Sequence, residues 1–363
     1  MSLRPYRIDV PETVLDDLRE RLARTRWPTA LPGTGWRQGA DIEYLRGLCD
    51  YWRSGYDWRR HEARINAFPQ FIAPVDGVDL HFIRVRGKGP NPMPLLLLHG
   101  WPGSIVEFLA LIEPLAEAGF DVVVPALPGF GFGGQPTEAG WGANRIAAAL
   151  DALMTRALGY PRYAVQGGDW GTILGRRIAR NHRANVIALH VNMAFAPPPP
   201  DTPPNADAAA RAFDLTGYLH LQNTRADTLT AGLSDSPMGL AAWIIEKFQS
   251  WSDCDGDIER AIDRDTLLTN LMFYWAPNSI TSATRIYLET ALEGDDIWAT
   301  PRVEVPTGVA AFPKEPYLAP RAWVERLYDV RRWADMPRGG HFAALEAPDL
   351  LGADIQTFFA DYR

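Results

Sequence analysis

Cysteine is scarce in this chain. Cys49 and Cys254 are the only two in 363 residues, too few and too far apart for a metal knuckle or a disulfide framework, and both are expected to be reduced. Long apolar runs are missing as well. The strongest, Leu95 to Leu98 and Leu240 to Ile245, fall far short of the ~20 residues that span a bilayer, so no membrane anchor is expected. Positive charge is nowhere concentrated: the net charge is −8, and no basic run exceeds two residues. The electrostatic footprint of a nucleic-acid binder is therefore lacking, and nucleic acid is not an expected partner. The opening Met-Ser-Leu-Arg-Pro leads straight into the charged Pro11 to Arg24 segment, without the apolar stretch of a signal peptide. A cytoplasmic location is the expectation. What is plentiful is apolar side chain, 47% of the residues, enough to bury a large core in one elaborated domain or two.

Periodicity divides the chain into unlike parts. Val14, Leu15, Leu18 and Leu22 share one face of a helix over Pro11 to Arg24, and Ile42, Leu45, Leu48 and Tyr51 mark a second over Asp41 to Trp52. An aromatic stretch follows through Trp58 to Phe71. From Asp79 the pattern changes to strands at Leu80 to Val85, Leu95 to Leu98 and Val122 to Val124, with a helix over Ile105 to Glu117 between the last two. This βαβ order predicts a largely parallel sheet. Further strands are expected at Tyr163 to Val165 and Ile187 to Val191. The proline run from Pro197 to Pro200, with Pro203 and Pro204, can continue neither a helix nor a central strand, so it reads as a stiff connection to a different unit. Helical patterns such as Pro237 to Phe248 and Asp265 to Tyr274 dominate until about residue 300. Strands resume at Val303 to Phe312 and Val330 to Trp333, and a helix closes the chain over Pro348 to Tyr362. The expected organisation is an N-terminal extension (1–75) packing on core and cap, a first core segment (76–196), a helical cap (197–300) and a second core segment (301–363).

Three motifs carry chemistry. In Gln166-Gly167-Gly168-Asp169-Trp170-Gly171, small residues flank a polar one at a strand-to-helix turn. That is the pattern of a nucleophile elbow, whose strained backbone lifts the central side chain above the sheet. Asp169 occupies the place usually held by serine. Taken alone, the fragment fits a plain helix N-cap equally well. The second motif, His99-Gly100-Trp101-Pro102-Gly103-Ser104, follows a strand and precedes a helix. An oxyanion hole in such a fold needs a backbone N–H from this loop and the N–H after the nucleophile, which assigns Trp101 and Trp170. Whether the peptide before Pro102 is cis is not legible in sequence. The third, Arg338-Gly339-Gly340-His341-Phe342, lies just after the last strand, where the order nucleophile, acid, histidine places the base. His341 is the expected base, and His61, His81, His99, His182, His190 and His220 are better explained as core, surface or turn residues. The acid that orients His341 should follow the penultimate strand, and Glu315 does. Glu304 sits at the wrong end of that strand, and the Asp295-Asp296 pair precedes it. The plain alternative for Glu315 is a solvated carboxylate paired with Lys314 or Arg321.

An aspartate nucleophile narrows the reaction. Serine attacking a saturated carbon would leave an ether that water does not readily cleave, whereas a carboxylate leaves an ester that water opens at its own carbonyl. Epoxides and alkyl halides are the two substrate classes that need this route.

Together the three motifs resemble the microsomal-type epoxide hydrolases, over nearly the whole chain. The Trp27-Pro28 region resembles that family's N-terminal extension, and Gly217 to Gln222 and Asp235 to Ala242 resemble its cap. The resemblance implies an α/β-hydrolase fold with a mostly parallel central sheet, helices on both faces, an inserted helical cap and an N-terminal helical extension. It implies an epoxide and water as the reactants, no cofactor and no metal. Asp169, His341 and Glu315 fall on the catalytic positions, and Tyr218 and Tyr287 on two cap tyrosines that donate hydrogen bonds to the epoxide oxygen. Tyr274 and Tyr317 are the residues most easily mistaken for those donors. The family's membrane-bound members carry an anchor helix, and none is expected here. A homodimer is compatible with the resemblance, as is a role in detoxification or in tailoring an enediyne-type natural product. Trp243, Trp251, Phe273 and Trp275 suit a bulky or aromatic epoxide. The alternatives are a haloalkane dehalogenase using the same aspartate, with tryptophan N–H groups holding the halide, and a non-catalytic binding protein of the same fold.

Overall fold

The structure, a computed structural model, describes residues 2–203, 206–294 and 301–363. Pro204, the Asp295-Asp296 pair and the expected end of the cap at residue 300 lie outside the described residues. One sheet of nine strands runs through the described residues in the order β1-β2-β3-β5-β4-β6-β7-β8-β9. In chain order these are β1 (Arg4–Tyr6), β2 (Gln70–Val75), β3 (Val78–Val85), β4 (Met93–Leu98), β5 (Phe120–Pro125), β6 (Tyr163–Gly167), β7 (Val186–Val191), β8 (Val303–Ala311) and β9 (Tyr328–Asp335). β5, β4, β6, β7, β8 and β9 pair in parallel, whereas β1, β2 and β3 form an antiparallel edge. Every residue of β5 and β6 is buried. Successive side chains on a strand point to opposite faces, so both faces of the central sheet are covered.

The N-terminal segment departs from the sequence expectation of helices and aromatics alone. Its helices Glu12–Ala23 and Ile42–Ser54 form as the periodicity predicts, but β1 and β2 also extend the sheet. β2 joins β3 through a two-residue turn at Asp76 and Gly77, both at positive φ (50° and 80°), with Val75 opposite Val78. An Asp-Gly pair is a preferred filling for such a hairpin turn.

Four helices follow the proline segment: Ala206–Asp235, bent at Arg225, then Pro237–Trp251, Arg264–Trp275 and Ile280–Leu292. Two are started by side-chain caps, Ser236 accepting from the Gly239 N–H and Asp263 from the Thr266 N–H. The N-terminal segment reaches them through polar contacts. Tyr51 donates to Asp265 at 2.7 Å, Tyr56 and Thr269 lie 3.0 Å apart, and Arg21 pairs with Asp235 at 2.7 Å.

Topology sets the position of the site. The chain leaves β4 toward β5 on one side and returns to form β6 on the other, so a crevice opens beyond the C-terminal ends of β4 and β6. Leu98 pairs with Gly167. The two motif loops, at His99 and at Gly168, therefore leave neighbouring strands at the same level.

Candidate active site

Asp169 has φ 50° and ψ −126°, outside the regions that aspartate ordinarily adopts. Close packing imposes this turn. A Cβ on Gly171 would lie 2.0 Å from the Leu98 carbonyl oxygen, and one on Gly100 would lie 2.2 Å from Asp169 Oδ1. Only glycine lets the helix Trp170–Asn181 and the loop after β4 come so near. The helix-cap reading of Asp169 fails here, because its side chain makes no capping hydrogen bond. Instead Oδ1 accepts the Trp101 N–H at 2.8 Å. Trp170 stands directly after Asp169 as the first residue of the helix and is buried. The Trp101–Pro102 peptide is cis.

His341 arrives from the loop after β9 with Nε2 3.4 Å from Asp169 Oδ2. Its Nδ1 lies 2.8 Å from Glu315 Oε2. Both residues are buried. Glu315 takes neither solvated alternative: its other oxygen accepts the Tyr317 N–H at 2.9 Å, while Arg321 pairs with Glu325 at 2.7 Å. Burial pushes the imidazole pKa down, but Glu315 and Asp169 outweigh it and hold it well above the usual histidine value. Two carboxylates around one imidazole favour its charged form.

Tyr218 and Tyr287 come down from the cap over Asp169. The Tyr218 ring stacks on Trp101 (centroids 5.3 Å apart, 8° between planes), and Tyr287 stands edge-on to Trp170 at 4.8 Å. The two tyrosine rings are 6.1 Å apart. Burial raises both hydroxyl pKa values, with the Asp169 charge acting in the same direction, so both remain O–H donors. The buried Tyr287 hydroxyl interacts with Tyr218 and Trp170.

Tyr274 and Tyr317, the residues open to confusion with these donors, are otherwise engaged. Tyr274 donates to the Gly103 carbonyl at 2.7 Å, and Tyr317 to the Leu215 carbonyl at 3.3 Å. The remaining histidines have structural surroundings or face solvent. His81 meets Gln70 at 2.8 Å, His99 accepts from the Leu127 N–H at 3.1 Å, and His190 meets Asp354 at 3.0 Å. His61 lies 3.4 Å from Asp265 and His182 3.3 Å from Asp151, and His220 is exposed. Glu304, at the far end of β8, pairs with Arg183 on the surface.

Comparison with known proteins fits this geometry. A family profile described as the epoxide hydrolase N terminus matches residues 3–108, and one described as the alpha/beta hydrolase fold matches residues 93–237. Epoxide hydrolase 1 of Oryctolagus cuniculus is 34% identical, with 98% of this chain and 88% of the rabbit protein covered. The chain belongs to the epoxide hydrolase family. Among solved structures, juvenile hormone epoxide hydrolase from the silkworm Bombyx mori superposes with a TM-score of 0.89 at 33% identity, over 100% of this chain and 94% of that one. The Aspergillus niger epoxide hydrolase gives a TM-score of 0.89 at 31% identity, over 100% and 97%. The fold is the α/β-hydrolase fold, and the enzyme is an epoxide hydrolase. No helix among the described residues is long and apolar enough to cross a membrane.

The hydrolase holds further residues in its site that the motifs did not disclose. Trp251 stands edge-on to His341 at 4.9 Å and accepts the His341 N–H on its carbonyl at 3.0 Å. Glu346 accepts from the Phe342 and Asp253 N–H groups at 2.9 Å and 2.7 Å, and so fastens the His341 loop to the end of helix Pro237–Trp251. Asn270 donates to the Pro102 carbonyl at 2.8 Å and accepts from Ser104 at 2.7 Å. Glu107 borders the same cavity as Asp169 and His341. Its sequence signal was ambiguous, since Ser104-x-x-Glu107 before an apolar run is also the pattern of a capping box.

Proposed function

We propose that this epoxide hydrolase opens its substrate to a vicinal diol through a covalent ester on Asp169. The reading rests on one observation: Asp169, His341 and Glu315 form an unbroken line, at 3.4 Å and 2.8 Å, beneath two buried tyrosine hydroxyls. In the first half-reaction Asp169 Oδ2 attacks an epoxide carbon and the C–O bond breaks. The freed oxygen takes a proton from Tyr218 or Tyr287. Ester formation removes one of the two negative charges that keep His341 protonated, so the imidazole gives up its proton, which restores the tyrosine. Neutral His341 then serves as the base.

In the second half-reaction a water oxygen attacks Asp169 Cγ while His341 takes one of the water's protons. The Trp101 and Trp170 N–H groups hold the tetrahedral oxyanion. Its collapse releases the diol oxygen, which takes the water's second proton from the new carboxyl group. Asp169 is again a carboxylate and His341 again charged. Single-turnover hydrolysis in oxygen-18 water tests the route. The first diol released should be unlabelled and the label should reside in Asp169, whereas label passing straight into the diol overturns the covalent ester.

A bulky or aromatic epoxide fits the reading, supported by the rings of Trp101, Trp251 and Tyr317 around the reacting groups. Tailoring of an enediyne-type natural product predicts a steep preference for one enantiomer of a large epoxide, and detoxification predicts broad turnover. Chiral analysis of diols from a panel of aryl and alkyl epoxides distinguishes the two. A cytoplasmic enzyme, monomeric or homodimeric, accords with this reading and is checked by cell fractionation and sedimentation. The dehalogenase alternative draws support from the buried Trp101 indole N–H, which has no partner among the described residues. Two O–H donors suit a ring-opening alkoxide better than a halide, and halide release from simple haloalkanes would reverse that preference.

A further inference from the structure

Behind the Asp169 carboxyl lies a small cavity bordered by Gly100, Glu107, Asp169, Asn192, His341 and Phe342. It has about 10 Å³ of room for the centre of a water molecule, which is about the minimum for a single one. Such a site must also offer the water two or more polar partners. The border supplies them: the His341 imidazole, the Glu107 carboxyl and the Asn192 amide, whose oxygen already accepts from Gln166 at 2.9 Å. The cavity is lined by both Asp169, which carries the ester carbon, and His341, the base that activates the attack. We propose that this cavity is the seat of the hydrolytic water, and that Glu107 is a positioning residue that holds that water against His341 and the Asp169 ester carbon.

The local structure is built to bring Glu107 there. Ser104 opens the short helix Ile105–Phe108 by accepting the Val106 N–H, and the Glu107 N–H bonds the Ser104 carbonyl at 3.1 Å. The Glu107 side chain is thereby folded back over the loop, so close that a Cβ on Gly103 would lie 1.6 Å from its Oε1. Glycine at 103 is what leaves room for the carboxyl. Burial raises the Glu107 carboxyl to about 8, with the His341 charge opposing the rise and the Asp169 charge adding to it. The Ser104 and Gly100 backbone N–H groups hold the carboxyl, and near neutral pH it is an uncharged acid with an O–H donor and acceptor lone pairs, able to hold a water without placing a second negative charge beside the developing oxyanion. With one hydrogen of the water on His341 and the other on Glu107, a lone pair is left facing Asp169 Cγ. Asp169 and His341 are the ionisable groups that share the cavity with Glu107.

This inference rests on the covalent reading, and its test separates the two. Rapid mixing of styrene oxide with wild type, Glu107→Leu, Glu107→Gln and His341→Gln, followed by acid quench and intact mass, measures formation and decay of the enzyme ester. Glu107→Leu should alkylate within about 3-fold of wild type but release its ester at least about 30-fold more slowly, so that adduct accumulates. Glu107→Gln keeps a neutral donor and acceptor in the same shape and should restore ester hydrolysis to within about 5-fold. The inference is overturned if Glu107→Leu hydrolyses its ester at the wild-type rate, if it slows both half-reactions equally, or if Glu107→Gln is as slow as Glu107→Leu. His341→Gln lacks the base and should trap the ester whatever Glu107 does. Absence of adduct in that variant would defeat the covalent reading itself.

Discussion

Asp169 shows how little a residue type says until its neighbours are known. In sequence it fits a helix cap and a nucleophile equally; the Trp101 N–H on its Oδ1 and His341 beside its Oδ2 support the proposed nucleophile. Asp169→Asn should abolish turnover. The same change removes one of the charges that hold His341 protonated, so the imidazole titration followed by NMR should move to lower pH than in wild type; an unmoved titration would refute the coupling. The tyrosines carry a separate prediction. Tyr287→Phe removes a buried hydroxyl beside Tyr218 and Trp170 and should slow alkylation by roughly 10²-fold, measured as the single-turnover rate of ester formation. Asp169 and His341 stood out in sequence because glycine-rich turns at fixed places in strand order mark them, and Glu315 because it follows the penultimate strand. Glu107 and Glu346 did not, because a carboxylate one turn into a helix looks the same whether it caps, faces water or lines a cavity.

At the level of elements, the site depends on parts far apart in the chain. The loop after β4 is fixed by helix Arg264–Trp275, through Asn270 on the Pro102 carbonyl and Tyr274 on the Gly103 carbonyl. Asn270→Ala leaves buried polar groups unpaired and should cost about 1–3 kcal/mol, measured by denaturant unfolding. It should also lower kcat several-fold by loosening the Trp101 N–H. If kcat is unchanged, the helix only covers the loop and does not position it. The crossing of the elbow helix and β4 predicts that Gly171→Ala is not tolerated, since its methyl would meet the Leu98 carbonyl; an active, stable Gly171→Ala enzyme would contradict that packing. Most parallel strands were legible from short apolar runs. The β2–β3 hairpin was not, because the aromatic residues ahead of it obscured Val75-Asp76-Gly77-Val78, a pattern that turn chemistry alone identifies.

Over the whole molecule, buried carboxyls link stability to pH. Glu346 is raised from 4.5 to about 7, chiefly by burial. Between these values the folded state keeps a proton that the unfolded chain has lost, so this contribution is complete below about pH 4.5 and is lost as pH rises through about 7. The unfolding free energy of Glu346→Gln relative to wild type should therefore become more favourable to the variant from pH 5 to pH 8. A difference that does not change with pH would show that Glu346 is not buried as an acid. The amino-acid sequence by itself determined the type of sheet and the chain order of the Asp169, Glu315 and His341 motifs, and it narrowed the substrates to epoxides and alkyl halides, because apolar periodicity, glycine turns and carboxylate chemistry are local properties. The tertiary structure alone decided that the N-terminal segment adds strands to the sheet, that Asn270 and Tyr274 hold the loop of Trp101, and that Glu107 borders the cavity behind Asp169. Those facts depend on which distant surfaces meet, and long-range packing has no signature in any short stretch of chain.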